Sequence, residues 1–237
     1  MASQSQSESE AIEHIVLFKV KDKAEPSKVK AWLDALNGLS SLDQVAQLTA
    51  APLIQTTTTT TSSATSLNFT HILYSRYNSK QDLKAYTVHP RHESAVKDHG
   101  LLIVQDIMAF DWVAPDLHLA VTPKPKPKPG SAIRVSFFKL KEEEEEDVKK
   151  SETLGVLKET KDGLLLGQQK QISELSYGEN FSPERSRGYS LAYLAVFPGH
   201  RELEDSNEEL GKLKDKFKDF VESEVVVDFL IPSSSSV

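Results

Sequence analysis

The sequence predicts an α+β protein made of two consecutive β-α-β-α-β repeats whose sheets pack into one closed α/β barrel within the chain. One reason is an internal duplication: residues 14–21 read HIVLFKVK, residues 134–141 read RVSFFKLK, and each half closes on a strand built around an aspartate, Asp111 or Asp228. The other reason is that the predicted strands are apolar on both faces. Each sheet therefore needs helices on one face and a second sheet on the other.

The first half begins with a strand over 14–20, followed by a helix. Apolar residues at helical spacing predict that helix, and Gly38 is a suitable stop; the apolar residues are Val29, Trp32, Leu33 and Leu36. The low-complexity stretch 56–66 (TTTTTTSSATS) is predicted to be a flexible loop. A second strand is expected over 69–77, where both alternating sets of side chains are again largely apolar.

A second helix should begin at Ser79, which can cap its first turn. It must end or kink before Pro90, because the residue preceding a proline disfavours the helical region. Pro90 suits the first turn of another helix, which should end at Gly100. Six residues separate Tyr86 from His92, so they would not share a face of one straight helix, and the break at Pro90 is what would let them converge.

The second half repeats this order with a strand over 189–197 and a helix whose apolar stripe is Leu210, Leu213, Phe217 and Phe220. Between the halves, residues 122–130 read TPKPKPKPG, which is typical of an extended polyproline-type spacer. We therefore divide the chain into a disordered tail (1–11), a first domain (12–118), a linker (119–130), a second domain (131–232) and a short tail (233–237).

Composition excludes several classes of function. The net charge is −7, which does not favour nucleic acid or anionic membrane surfaces, and no apolar run approaches the roughly 20 residues of a membrane span. The absence of cysteine excludes disulfides, thiolate ligands and thiol catalysis. The C-terminal Ser235-Ser236-Val237 retains the small–x–aliphatic pattern of a peroxisomal address, and the alternative is a frayed tail on a cytoplasmic protein.

Histidines are concentrated in the stretch 86–100, YTVHPRHESAVKDHG. His89 and His92 are three residues apart, as ligands on one helical turn would be, but zinc would need a third ligand such as His14 or His71. A histidine can instead remove a proton near neutral pH, with a tyrosine hydroxyl holding the resulting oxyanion. A purely structural role, in which buried histidines are satisfied and HPRH breaks a helix, also remains open.

Four segments resemble the stress-responsive dimeric α/β-barrel family of plants: EHIVLFKVKD (13–22), FTHILYSRYNSKQDLKAY (69–86), HPRH (89–92) and DIMAFDWV (106–113). The resemblance covers nearly all of 12–114 and, more weakly, 131–231, and the tandem layout is similar to that of two-domain members, some of which are peroxisomal. It implies ferredoxin-like repeats that pair into a barrel. We expect a monomer with an intrachain pseudo-dimer, or a weak homodimer.

The resemblance also implies site residues. One family member, olivetolic acid cyclase, closes a linear polyketide by an aldol step without metal or organic cofactor, and its working tyrosine and histidine match Tyr86 and His92. The histidines that line its cavity match His14, His71 and His89. The second half retains none of the five, with Arg134 and Leu191 at the two strand positions, so a pocket is expected in the first half alone.

Some members bind magnesium through main-chain carbonyls after the first helix, which correspond here to Leu39, Leu42 and Val45. No cofactor is expected to be required. The primary functional hypothesis is a stress-response protein without turnover of its own. The alternative is a cofactor-free polyketide-type cyclase, or a binder of a small aromatic or acyl ligand, that uses Tyr86 and His92. A third hypothesis is an assembly role for the barrel.

Overall fold

The computed structural model describes residues 11–60, 67–114, 126–141, 146–166 and 172–233, and places them in two antiparallel sheets flanked by helices. The first sheet has the order β2-β4-β1-β5, with β1 (Ile12–Val20), β2 (Gln47–Pro52), β4 (His71–Tyr77) and β5 (Val104–Val113). The second has the order β3-β9-β6-β8-β7, with β3 (Gln55–Thr60), β6 (Ala132–Leu140), β7 (Glu174–Glu179), β8 (Leu191–Phe197) and β9 (Val221–Leu230).

The helices of the first half are α1 (Pro26–Gly38), α2 (Lys80–Thr87), α3 (Pro90–Ser94) and α4 (Leu101–Ile103), with a π-helical turn over Ala95–Gly100. Those of the second half are α5 (Glu146–Leu166), α6 (His200–Asp205) and α7 (Asn207–Phe217). The predicted cap is present, because the Ser79 hydroxyl accepts a 3.1 Å hydrogen bond from the Asp82 amide. None of the described helices is long and apolar enough to cross a membrane.

The two sheets pack face to face around a shared core, as the two-sided apolar strands predict. Buried side chains of the first sheet contact those of the second in one cluster, which includes Ile15, Leu17, Ile72, Tyr74, Phe110, Trp112, Val135, Phe137, Leu194, Val227 and Phe229. The opposite face of the first sheet packs against α1 and α2 through Val16, Leu73, Trp32, Leu36 and Tyr86. The α+β class and the pairing of two repeats within the chain are confirmed. The described strands nevertheless form two separate sheets, not one continuously bonded cylinder.

The repeat order differs from the prediction, because the first half contains two additional strands, β2 and β3, and the second half contains one, β7. β2 and β7 are short strands at the edges of their sheets. β2 contains Ala51 and Pro52, and β7 contains Gly178; these residue types have low strand propensity. Both strands are held by pairing with β4 and β8. The predicted loop at 56–66 is wrong for its first part, because Gln55–Thr60 forms β3; threonine is β-branched and suits a strand. Residues 61–66 lie outside the described part of the chain.

Each half contributes a segment to the other half's sheet. β3 leaves the first half and pairs with β9 of the second. After β7, the second half crosses in the opposite direction: the Phe181 amide donates to the Asp111 carbonyl at 3.0 Å, and the Asp111 amide donates to Asn180 Oδ1 at 3.2 Å. A 3₁₀ turn over Pro183–Arg185 follows. This exchange brings a loop of the second half onto β5, beside the helical face of the first.

The linker is described only over its last residues, 126–130, and the rest of 119–130 lies outside the described chain. Gly130 has a φ of 86°, which favours glycine, and its amide donates to the Ile231 carbonyl at 2.9 Å. The linker therefore ends in a turn tied to the C-terminal end of the second domain. The domain boundaries remain predictions.

Candidate functional site

A cavity of about 480 Å³ lies in the first half, between the outer face of the first sheet and the helices that cover it. Its walls are largely apolar and include Val16, Phe18, Trp32, Leu36 and Leu73. Polar side chains line part of it, among them His14, Tyr86, His92, Asp106 and Arg185. This volume and this mixture of an apolar wall with a few polar groups are typical of small-molecule sites.

His92 lies on α3, which begins at Pro90 and is capped by His89, whose Nδ1 accepts from the Arg91 amide at 3.1 Å. The His92 Nδ1 lies 3.0 Å from the Thr87 carbonyl oxygen. Because a carbonyl can only accept, Nδ1 carries the hydrogen, and Nε2 of the neutral ring has a free lone pair. Burial lowers the pKa of His92 below the ordinary histidine value; the Thr87 hydrogen bond and the Glu93 charge oppose this shift, and His14 and Arg185 add to it. The ring is therefore a neutral base at pH 7.

Tyr86 lies beside His92, with their ring centroids 4.6 Å apart. The Tyr86 side chain is buried, with 1% of its surface exposed, and its hydroxyl meets no hydrogen-bond partner among the described residues. Burial raises the pKa of Tyr86 above the ordinary tyrosine value, and a weak hydrogen-bonding contact with the Tyr77 side chain partly opposes this rise. The cavity wall therefore contains a protonated tyrosine, whose hydroxyl makes no well-formed hydrogen bond with a described residue, next to a neutral base. The helix break at Pro90 brings these two side chains together.

His14 is held by Asp111, its partner across the β1–β5 ladder. His14 Nδ1 forms a short contact with Asp111 Oδ1, and both side chains are buried. Burial alone would raise the pKa of Asp111, but His14, a hydrogen bond from Ser182 and the charge of Arg185 together lower it. Asp111 is thus a carboxylate that fixes the His14 ring, whose centroid lies 6.3 Å from that of Tyr86.

The other two predicted histidines do not line this cavity. His71 stands at the start of β4 with its ring centroid 5.7 Å from that of Trp32 and its Nδ1 2.8 Å from Thr70 Oγ1. Burial lowers its pKa. His89 caps α3 as described above. The structure therefore brings together Tyr86, His92 and His14, and gives His71 and His89 packing and capping contacts.

The described part of the second half has no equivalent of the pair His14 and His92, because other side chains occupy the corresponding positions. Arg134, at the position of His14, donates Nε and Nη2 to the two oxygens of Asp228, each at 2.8 Å. Tyr193 stands opposite Ser136 in the ladder, as Leu73 stands opposite Val16 in the first half, and it is buried. The bulkier arginine and tyrosine therefore occupy the space that histidine and leucine leave in the first half.

The expectation that the pocket belongs to the first half alone is wrong, because Arg185 of the second half lines it. Sequence reasoning missed this residue, since no local pattern marks 180–187 as a crossing segment. The duplication itself could have indicated this crossing. Residues 180–187 occupy the position in the second repeat that β3 has in the first, and β3 also crosses to the other sheet.

The predicted magnesium ligands lie in the turn after α1. The Leu39 carbonyl accepts from the Leu42 amide at 3.1 Å, and the Leu42 carbonyl accepts from the Val45 amide at 2.9 Å. Each keeps a second lone pair, but Arg91 donates to the Gly38 carbonyl of the same turn at 2.7 Å, and its positive charge opposes a cation there. These carbonyl oxygens are therefore poorly suited as magnesium ligands, and magnesium binding at this turn stays a prediction. Among the described residues no group of three or more acidic, histidine or cysteine side chains could hold a metal.

The comparisons with known proteins agree with the fold. Residues 12–114 and 133–231 each match the family model described as Stress responsive A/B Barrel Domain. A stress-response A/B barrel domain-containing protein of Arabidopsis thaliana is 42% identical over 236 residues, covering 98% of this chain and 83% of that protein. A second protein of the same description, from the same plant, is 37% identical over 228 residues, covering 96% of this chain and 100% of that protein.

Solved structures of low sequence identity share the arrangement over both halves. A candidate monooxygenase from Fusobacterium nucleatum has a TM-score of 0.66 at 13% identity, covering 95% of this chain and 94% of that one. An anthrone oxidase-like protein has a TM-score of 0.57 at 10% identity, covering 96% and 95%. At such identities the likeness shows the fold alone, and it extends across both repeats.

Proposed function

Because the chain belongs to the stress-response A/B barrel family, we propose that it is a stress-response barrel protein whose first half binds a small, mainly apolar aromatic or acyl ligand. The observation that carries this proposal is the cavity itself, whose walls are largely apolar and include the Tyr86 side chain, whose buried hydroxyl makes no well-formed hydrogen bond with a described residue. A buried unsatisfied polar group costs about 1–3 kcal/mol. A ligand oxygen that accepts from Tyr86 would remove this cost, while the apolar walls bury the rest of the ligand.

Calorimetric titration with 4-phenylbutan-1-ol tests the binding proposal. The native protein should bind this alcohol. Leu73→Tyr, which places in the first half the residue that the second half has at the equivalent position, should fill the cavity and abolish binding. The control is Leu102→Tyr, a change at an exposed leucine that does not line the cavity. Equal binding by the native protein and Leu73→Tyr would contradict the proposal.

A second candidate function is cofactor-free aldol cyclisation, supported by the neighbouring positions of Tyr86 and His92 and by the Thr87 contact that leaves His92 Nε2 free. In this reaction Nε2 removes a proton from the carbon next to a thioester carbonyl, and Tyr86 donates to the enolate oxygen. The enolate carbon then attacks a second carbonyl of the same chain, forming a carbon–carbon bond. The new alkoxide takes the proton back from the His92 imidazolium, so the protein is unchanged.

Exchange of α-protons isolates the first step of this candidate. In D₂O, S-octanoyl-N-acetylcysteamine should lose its α-proton NMR signal faster with native protein than in buffer. His92→Gln should reduce the protein-dependent rate by about 100-fold, the low end of what a positioned base contributes. His200→Gln, an exposed histidine of the second half, should retain the native rate. A native rate in His92→Gln would exclude His92 as the base.

Peroxisomal targeting is a separate proposal that rests on the Ser235–Val237 sequence, which lies outside the described residues. A fluorescent protein fused to the N-terminus should give a punctate peroxisomal signal, and deletion of Ser235–Val237 should make the signal diffuse. An unchanged diffuse cytoplasmic signal in both cases would contradict the proposal.

A further inference from the structure

We propose that the first-half cavity selects a monocarboxylate, with Arg185 of the second half binding the carboxylate at the mouth and the apolar part of the ligand lying inside. This inference rests on the proposed ligand-binding function and specifies the chemistry of the ligand. It also assigns the second repeat a role in the site of the first.

The charges around the cavity leave Arg185 without an ion-pair partner. Asp106, which also lines the cavity, is bound by Arg187, and Asp111 is bound by His14. Arg185 forms no hydrogen bond or ion pair with any residue in the described part of the chain, although it lies close enough to Asp111 to lower the pKa of that carboxyl. The two nearby carboxylates are thus already engaged, and one cationic group remains at the mouth.

The segment that carries Arg185 is anchored to β5 on both sides. Before Arg185, the Phe181 amide bonds the Asp111 carbonyl. After it, Arg187 bonds Asp106. The turn itself is closed by Ser186, which is buried and whose hydroxyl and amide both donate to the Pro183 carbonyl, at 3.0 and 3.1 Å. These hydrogen bonds therefore hold the backbone that carries Arg185 in a fixed position beside the cavity.

Guanidinium chemistry and the neighbouring charges favour a single carboxylate. The planar guanidinium matches the two oxygens of a carboxylate, and it stays charged at all physiological pH values. Arg185 is the one arginine among the described residues that line the cavity, so the second charge of a dianionic phosphate would lack a cationic partner there. Tyr86, which also lines the cavity, can donate its hydroxyl hydrogen to a second oxygen on the ligand body.

Matched acids and alcohols test this inference. The native protein should bind 4-phenylbutyrate more tightly than 4-phenylbutan-1-ol. Arg185→Gln should weaken the affinity for 4-phenylbutyrate by about 10-fold, the low end of what a hydrogen bond to a charged group contributes. Binding of the alcohol should not change in Arg185→Gln. The control is Arg201→Gln, which removes the same charge at an exposed site on α6 and should leave both affinities unchanged.

The outcomes separate this inference from the proposed function. If the native protein binds the alcohol as well as or better than the acid, or if Arg185→Gln binds the acid with native affinity, carboxylate selection by Arg185 is wrong while ligand binding stands. If neither compound binds the native protein, both the inference and the proposed function are overturned. Circular dichroism of Arg185→Gln, an exposed position, should show native folding.

Discussion

The exchange of His14 for Arg134 is one of the residue differences that distinguish the site of the first half from the equivalent position in the second. His14 and Arg134 occupy the same place in their sheets, and each faces an aspartate across the ladder. Arg134 makes a bidentate pair with Asp228 and also donates to Asn207 at 2.7 Å, so its donors are used within the second half. The smaller His14 ring is held by Asp111 and leaves space beside Tyr86 and His92.

Asp111→Asn should destabilise the protein by about 2 kcal/mol near neutral pH, because it leaves the buried His14 without its anionic partner. The pKa of Asp111 is lower in the folded protein than its ordinary value of about 3.9, so its contribution exists above that value and is lost as the pH falls through the folded pKa. The free energies of unfolding of the native and Asp111→Asn proteins should therefore converge as the pH falls below the ordinary aspartate pKa.

Urea unfolding at several pH values measures this convergence. Asp34→Asn is the control, since Asp34 forms an exposed pair with Lys30 and should change stability by about 0.5 kcal/mol or less. A stability difference between native protein and Asp111→Asn that stays constant from neutral to acidic pH would contradict the assigned role of Asp111.

At the scale of elements, strongly patterned segments could be predicted and sheet edges could not. The helical stripe with Trp32 and Leu36, and the cap at Ser79, indicated α1 and α2 because those signals are local. β2 and β7 are set by pairing with β4 and β8, so their alanine and glycine residues gave no reliable strand signal. The threonine run of β3 suits a strand, but its low complexity favoured a loop until the pairing with β9 was known. For the same reason the sequence indicated Tyr86, His92 and His14 but not Arg185, which only the crossing segment brings to the cavity.

Gly178 of β7 should be needed for the packing of the second half against β5. A methyl group added at Gly178 would lie 2.7 Å from Cδ1 of Trp112, whose side chain is fully buried and donates to Ser176 at 3.0 Å. Gly178→Ala should therefore lower the free energy of unfolding by about 1–3 kcal/mol through overpacking. Chemical denaturation gives this value.

The matched control is Gly211→Ala in α7, where an added methyl group meets no atom within 4 Å. This change should raise the free energy of unfolding by about 1 kcal/mol, because alanine is the better helix former. If Gly178→Ala were neutral or stabilising, the proposed close approach of β7 to Trp112 would be wrong.

In the whole molecule, a buried ionic group joins the two repeats. Arg76 of β4 donates to Glu13 of β1 at 2.6 Å and to Glu174 of β7 at 2.5 Å, and all three are largely buried. Burial raises the pKa of Glu13 although Arg76 opposes this effect. The arginine therefore holds a carboxylate from each half in the interior, in addition to the apolar core that the sheets share.

Arg76→Met should lower the free energy of unfolding by about 3–5 kcal/mol, because it leaves two carboxylates in the interior without a cation. Thermal or urea unfolding measures the loss, and Arg201→Met at an exposed site should change stability by less than about 1 kcal/mol. A similarly small effect of Arg76→Met would show that the triad does not help to hold the halves together.

The first-half cavity, completed by Arg185, is the proposed ligand site. Imidazole nitrogen NMR during titration with 4-phenylbutyrate tests it most directly. We predict that His92 carries its hydrogen on Nδ1 and that the His92 and His14 signals shift with the ligand, whereas the signal of the remote His200 stays constant. Saturable binding that leaves the His92 and His14 signals unshifted, or no binding at all, would show that this cavity is not the ligand site.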